Sequence, residues 1–204
     1  MTSEHMSSKW YKVLIIGESG VGKSTIVRQY CKGDIELDYK STLGMDLMVK
    51  EIQAGTEKVC LQLWDCGGQD RFRGLVSSYY RNCNGLILTF DLENRNSFDK
   101  IGIWFEEAKE KTTTKKPVIF LVGNKKDLKK NSTIERYEVD ELCVRLGIVK
   151  YFECTAFDNN NVNSVFDKMV EEMIRYDKNT TQETSLHSAT LRLNNLKGSK
   201  GCCN

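Results

Sequence analysis

Short apolar runs rich in branched residues alternate along this chain with stretches whose apolar residues recur three and four positions apart. The runs lie at 11–16, 59–64, 85–90, 117–122 and 149–153 and predict strands. Between and after them, helical period marks 23–31, 96–111, 137–146 and 162–176, the last through Val165, Phe166, Met169, Val170, Met173 and Ile174. Such alternation predicts an α/β fold, a mostly parallel sheet with helices on both faces. Residues 43–53 are expected to add a sixth strand, antiparallel at the edge, pairing with 58–64 across the Ala54-Gly55-Thr56-Glu57 turn.

With 204 residues the chain has room for one ordinary domain and its tails. Residues 10–176 form the expected domain and 1–9 a flexible start. From 177 to 204 the sequence turns polar and rich in Ser, Thr and Asn, which predicts a flexible tail. That tail holds four basic and two acidic residues of the chain's 30 and 28, so the body is neutral. A neutral body lacks the basic face of a nucleic-acid binder, and none is expected. No apolar segment of signal-peptide length precedes the first strand, so residence in the cytosol is expected. In a reducing compartment, Cys31, Cys60, Cys66, Cys83, Cys143 and Cys154, which have no C-x-x-C spacing, read as small buried hydrophobes.

Chemistry enters where the first strand ends. GESGVGKS at 17–24 is a complete G-x-x-x-x-G-K-S phosphate loop, with a strand before it and a helix after it. Backbone N–H groups of Ser19, Gly20, Val21, Gly22, Lys23, Ser24 and Thr25 are expected to cradle phosphates at a helix N-terminus. Lys23 reaches the β- and γ-phosphates, and the Ser24 hydroxyl ligates Mg²⁺. The loop leaves the base open. NKKD at 124–127 is the discriminator, because the Asp127 carboxylate can accept from both N1–H and the 2-amino group of guanine, a pair adenine lacks. It follows an apolar strand, at a carboxyl end of the sheet, where open α/β folds bind ligands.

With both motifs in place, the chain resembles the Ras superfamily and, within it, the Rab family, over 12–176 and again in the last residues. The resemblance implies a P-loop NTPase G domain that binds GTP or GDP with Mg²⁺ and hydrolyses GTP. WDCGGQD at 64–70 is similar to the opening of switch II, where Asp65 holds Mg²⁺ through water, Gly68 senses the γ-phosphate and Gln69 orients the attacking water. Thr42 takes the place of the switch I Mg²⁺ ligand. ECTAF at 153–157 resembles the last base-contacting loop, with Thr155, the Ala156 N–H and Phe157 beside guanine and Lys125 on its other face. Leu47, Trp64 and Tyr79 match the Rab hydrophobic effector triad, although Trp64 reads equally well as a core residue. Implied partners are an exchange factor, a GTPase-activating protein, effectors and prenylation escort or dissociation-inhibitor proteins. The implied place is the cytoplasmic face of an endomembrane, cycling with the cytosol, as a monomer.

Departures from the family pattern carry expectations of their own. Cys66 and Gly67 stand where Thr and Ala are usual, and Gly67 adds backbone freedom, so Gly67→Ala is expected to order switch II and raise intrinsic hydrolysis. Leu47 replaces a Phe, Ile35 an aromatic that packs on guanine, and Phe157 a Lys. Phe157 either stacks on the base in compensation or packs into the domain surface near the last helix. Phosphoryl transfer to water needs positioning and charge neutralisation, and the sequence offers no other apparatus: His5 and His187 both lie in the tails. No Arg occurs in 34–42, and Arg71 and Arg73 lie past Gln69, so unassisted hydrolysis is expected to be slow. Lys23 and Gln69 are the catalytic candidates. An ATP-using kinase is opposed by NKKD and by the Thr42 and DCGGQ spacing; a GTP-holding module that recruits effectors without turnover is the alternative.

Cys202 and Cys203 stand apart from the other thiols, in the polar tail. A C-a-a-X signal needs its Cys where Gly201 stands, and the GCCN ending instead resembles Rab double-cysteine tails that take two geranylgeranyl groups. Leu191 and Leu193 resemble the apolar pair that such tails offer to the escort machinery. A single lipid anchors marginally, so two chains make physical sense; an adventitious pair of surface thiols is the other reading.

Overall fold

The first strand shows why the chain layers as it does. In β1 (Lys9–Ile16), Tyr11, Val13 and Ile15 enter one apolar cluster while Leu14 and Ile16 enter a second on the opposite face. A strand buried on both faces must be apolar at nearly every position, and β4 (Gly85–Asp91) and β5 (Val118–Asn124) follow the same rule. The computed structural model describes residues 8–33, 42, 44–68, 78–114, 116–129 and 133–197, with side chains as far as Thr180.

The sheet has six strands in the order β2-β3-β1-β4-β5-β6, with β2 Met45–Ala54, β3 Glu57–Cys66 and β6 Lys150–Glu153. All pairings are parallel except β2 with β3, which run antiparallel in the register Leu47↔Trp64 and Ala54↔Glu57. This is the architecture expected from the alternating pattern. Position 43, the expected first residue of β2, lies outside the described residues.

One face is covered by α1 (Lys23–Lys32) and α5 (Asn159–Lys197), whose Ile26, Val27, Tyr30, Val165, Phe166 and Met169 pack on Val13, Leu61 and Phe120. Tyr30 stacks on Phe166 with ring centroids 4.2 Å apart, and truncating a buried Phe of this kind costs about 3–5 kcal/mol. The other face is covered by α2 (Arg95–Asp99), α3 (Ile101–Lys111) and α4 (Arg136–Leu146), through Phe98, Trp104, Phe105 and Leu142. Cys60, Cys66, Cys83 and Cys154 are buried, Cys31 and Cys143 half-buried, and all six are free thiols.

Two helices depart from the pattern. The single helix expected over 96–111 breaks at Lys100, where φ is −82° and ψ −6°, and the Ile103 and Trp104 N–H groups both bond the Lys100 carbonyl. Lys100 and Trp104, at the start of α3, both reach the residue that follows Gly17 after β1, Glu18. At the other end, α5 continues to Lys197 although composition closed the domain at Tyr176. No Gly or Pro interrupts 159–197, so nothing local stops the helix. Its next turn is anchored, with Asp177 accepting from the Tyr11 hydroxyl at 2.8 Å and from Lys9 at 2.9 Å, and Lys178 pairing with Glu57 at 3.0 Å. The expected flexible tail therefore begins as helix, a correction that follows from contacts between residues far apart in sequence.

Candidate functional site

The carboxyl ends of β1, β3, β4, β5 and β6 meet at one rim of the sheet, and the motif residues gather there. The phosphate loop leaves β1 at Gly17 and enters α1 after Gly22, which has a φ of 94°. A Cβ on Gly22 would lie 2.2 Å from Asn124 Nδ2, and through that gap the Asn124 amide donates to the Val21 carbonyl at 2.8 Å. Asn124 is 2% exposed, so its described role is to fasten β5 to the loop. Lys23 donates to the Gly17 and Glu18 carbonyls at 2.9 and 2.8 Å and is 6% exposed; burial pushes its pKa down. The first N–H groups of α1, from Lys23, Ser24 and Thr25, have no partner within the helix and face the loop opening, next to Ser19 to Val21.

Three oxygens converge beside Lys23. Ser24 Oγ lies 2.9 Å from Thr42 Oγ1 and donates to Asp65 Oδ2, and Thr42 Oγ1 reaches the same Asp65 oxygen at 3.5 Å. Asp65 is buried, its Oδ1 has no hydrogen-bond partner, and burial pushes its carboxyl above the usual range. Two hydroxyls and a carboxylate with an unused oxygen are a hard-oxygen set of the kind Mg²⁺ takes, with water and phosphate completing the shell. Among the described residues no cluster of His, Cys, Asp and Glu competes as a metal site.

Past Asp65, β3 runs close to both neighbouring loops. A Cβ on Gly68 would lie 2.4 Å from the Ser19 nitrogen, so only glycine lets this backbone lie on the phosphate loop. Gly67 donates its N–H to the Gly44 carbonyl at 2.8 Å, and a Cβ there would lie 2.6 Å from the Thr42 carbonyl oxygen. This reverses the expectation for Gly67→Ala: the methyl group meets backbone before it can order anything. Gln69, Ile35, Arg71 and Arg73 lie outside the described residues.

On the base side, the loops after β5 and β6 are joined. The Lys126 N–H donates to the Cys154 carbonyl at 3.0 Å, and the Cys154 N–H to the Gly123 carbonyl at 2.9 Å. Lys125, at φ 62°, pairs with Asp91 at 2.8 Å, which leaves Asp127 exposed on the 3₁₀ turn Lys126–Leu128. Thr155 Oγ1 accepts from the Phe157 N–H at 3.3 Å, Ala156 is buried, and Phe157 is 62% exposed rather than packed into the domain surface. Sequence reading missed Asp91; its signal was a carboxylate closing an otherwise apolar strand.

Leu47, Trp64 and Tyr79 also come together. Leu47 faces Trp64 across the β2–β3 pair and is 42% exposed, and the Trp64 and Tyr79 rings are 5.6 Å apart and both half-buried. Trp64 thus belongs to core and surface at once, with Lys12 Nζ 4.0 Å above its ring. Cys202 and Cys203 lie outside the described residues, as do the side chains of Leu191 and Leu193.

Comparison with known proteins accords with this geometry. The chain matches the family described as "Ras family" over residues 12–175. It is 33% identical over 204 residues to "GTP-binding protein YPT1" of Saccharomyces cerevisiae, covering 95% of this chain and 96% of that one. "Ras-related protein RabC" of Dictyostelium discoideum is 34% identical over 196 residues, covering 95% and 97%. "Ras-related protein Rab-3" of Caenorhabditis elegans is 37% identical over 161 residues, covering 79% and 73%.

The Gly67 contact gives a test. Gly67→Ala should destabilise the nucleotide-free protein by about 1–3 kcal/mol in urea denaturation, the cost of overpacking a closed site, and should slow single-turnover hydrolysis. Unchanged stability together with faster turnover would restore the expectation drawn from backbone freedom alone.

Proposed function

The chain belongs to the Ras family as a Rab-like small GTPase, and on that premise we propose that it is a GTP-hydrolysing switch of membrane trafficking whose Mg²⁺ is held by Ser24, Thr42 and Asp65. The convergence of those three oxygens beside the buried Lys23 carries the reading. When bound, the cation neutralises the β- and γ-phosphate oxygens.

The chain's own residues do the rest. Lys23 keeps its ammonium at the loop centre, on two carbonyls it can exchange for phosphate oxygens. Backbone N–H groups from Ser19 to Thr25 take the remaining phosphate oxygens. Gln69 orients the attacking water, and the Gly68 N–H, close against Ser19, senses the terminal phosphate. Asp127 accepts from N1–H and the 2-amino group of guanine, the Ala156 N–H meets the base oxygen, and Asn124 keeps the base side in register with the phosphate side. Loss of the γ-phosphate removes what Thr42 and Gly68 respond to, so both switches change state on hydrolysis. The alternative, a GTP-holding module without turnover, has no support among the relatives.

An exchange factor, an activator and effectors are the partner classes such a switch needs, and the surface formed by Leu47, Trp64 and Tyr79 suits the effector. No described helix is long and apolar enough to cross a membrane. Association with an endomembrane is therefore peripheral in this reading, through prenyl groups on Cys202 and Cys203, with an escort protein holding the lipids in the cytosol. The protein acts as a monomer.

Three measurements check this function. Single-turnover GTP hydrolysis should proceed slowly with Mg²⁺ and fall at least about tenfold on chelation or in Thr42→Ala, the scale of losing a metal contact; a rate indifferent to both would sink the assignment of the three oxygens. At the base, GDP should bind Phe157→Ala at least about tenfold more weakly than the wild type, with Phe157→Lys recovering part of the loss, because base–aromatic stacking is worth roughly 1–3 kcal/mol. Equal affinities across the series would mean that the ring plays no part. Replacing Cys202 and Cys203 by Ser should move the protein from membrane to cytosol in cell fractionation, and unchanged partitioning would remove the lipid anchor.

A further inference from the structure

One charged group at the phosphate loop has no place in the roles above. Glu18, the second residue of the loop, points its carboxylate at α3, where Oε2 pairs with Lys100 Nζ at 2.8 Å and Oε1 accepts from Trp104 Nε1 at 3.0 Å. Its side chain is 16% exposed and Trp104 is buried, so this contact is screened little by solvent. The main chain of the same residue is held too. Its carbonyl accepts from Lys23 at 2.8 Å, and its carbonyl carbon lies 2.5 Å from where a Cβ on Gly68 would stand. Glu18 thus joins α3, the lysine of the phosphate loop and Gly68, just past the end of β3.

A carboxylate in a loop that surrounds a polyphosphate is an electrostatic liability, because like charges a few ångströms apart repel strongly where water is excluded. Lys100 supplies a compensating charge, and the indole N–H of Trp104 donates to the second oxygen, so the carboxylate is aimed at α3. Both donors sit at the start of α3, Lys100 as its N-cap and Trp104 one turn on.

We propose that Lys100 and Trp104 are positioning residues for the phosphate loop, holding Glu18 so that α3 sets the loop's preference for the triphosphate over the diphosphate. The inference rests on the reading of the loop as the guanine-nucleotide site. A carboxylate that loses the charge of Lys100 repels the more negative ligand more, so the effect is selective for GTP.

The test is a pair of charge-removing substitutions read with a fluorescent GDP and a fluorescent non-hydrolysable GTP analogue, in Mg²⁺, on the full chain. Lys100→Gln should weaken the GTP analogue by about three- to tenfold and GDP by less, the range expected for removing one charge from a shielded pair. Glu18→Gln in the same chain should return the GTP analogue to within about twofold of wild type, and Lys100→Arg should bind as the wild type does. Should Lys100→Gln not fold, Lys100→Met, which keeps the stem, gives the same contrast. An equal loss for both nucleotides that Glu18→Gln does not recover would make the contact merely structural and overturn the proposal, as would unchanged affinities. A wild-type chain that binds neither nucleotide would instead overturn the site reading itself, and the proposal with it.

Discussion

The Asn124 side chain reaches the Val21 carbonyl through the space that Gly22 leaves empty, and this hydrogen bond fixes the distance between two halves of one rim. β1 and β5 are not neighbours, since β4 lies between them. The phosphate loop must therefore cross the end of β4, and it does so in close contact, with the position of a Cβ on Gly17 only 2.1 Å from the Thr89 carbonyl oxygen. Two glycines and one amide bring a loop on β1 and a loop on β5 into fixed register. A ligand spanning them meets both in one geometry, which lowers the ordering cost of binding.

Burial of charge is the second constraint at that rim. Lys23 and Asp65 both sit where water is scarce, and burial pushes each toward its neutral form, the ammonium pKa down and the carboxyl pKa up. Hydrogen bonds offset part of that cost, through two carbonyls for Lys23 and two hydroxyls for Asp65. Asp65 Oδ1 remains without a partner. A site with this imbalance gains from a ligand that brings compensating charge of both signs, as a cation carried by a polyphosphate does.

The β2–β3 hairpin applies the same layering rule to only one of its faces. Met48, Ile52 and Ala54 pack inward on the cluster covered by α1 and α5, while Leu47 and Val49 alternate outward and stay exposed. Among the described residues, Trp64 and Tyr79 lie at the border of the second cluster and stay half-buried beside Leu47. Leu47, Trp64 and Tyr79 thus form an apolar surface among the described residues.

Much of this was legible in the sequence because it is local. Strand and helix periodicity, the phosphate loop between a strand and a helix, and the carboxylate of Asp127 after β5 each depend on a few adjacent residues, and they pointed to a mostly parallel sheet with one antiparallel edge strand and to the carboxyl ends of its strands. What the sequence left undecided involves approaches between residues distant in the chain. Freedom at Gly67 suggested a loose segment, and only the closeness of the Thr42 carbonyl made it a tight one. The end of α5 looked set by composition, and contacts with Tyr11, Lys9 and Glu57 anchor it past Tyr176. Helical period ran straight through Lys100, and only the packed domain reveals that Lys100 and Trp104 meet Glu18. Periodicity and motif spacing report what a residue does with its neighbours in the chain; the distance between two backbones, and the partner a buried charge finds, are set only when the layers close on one another.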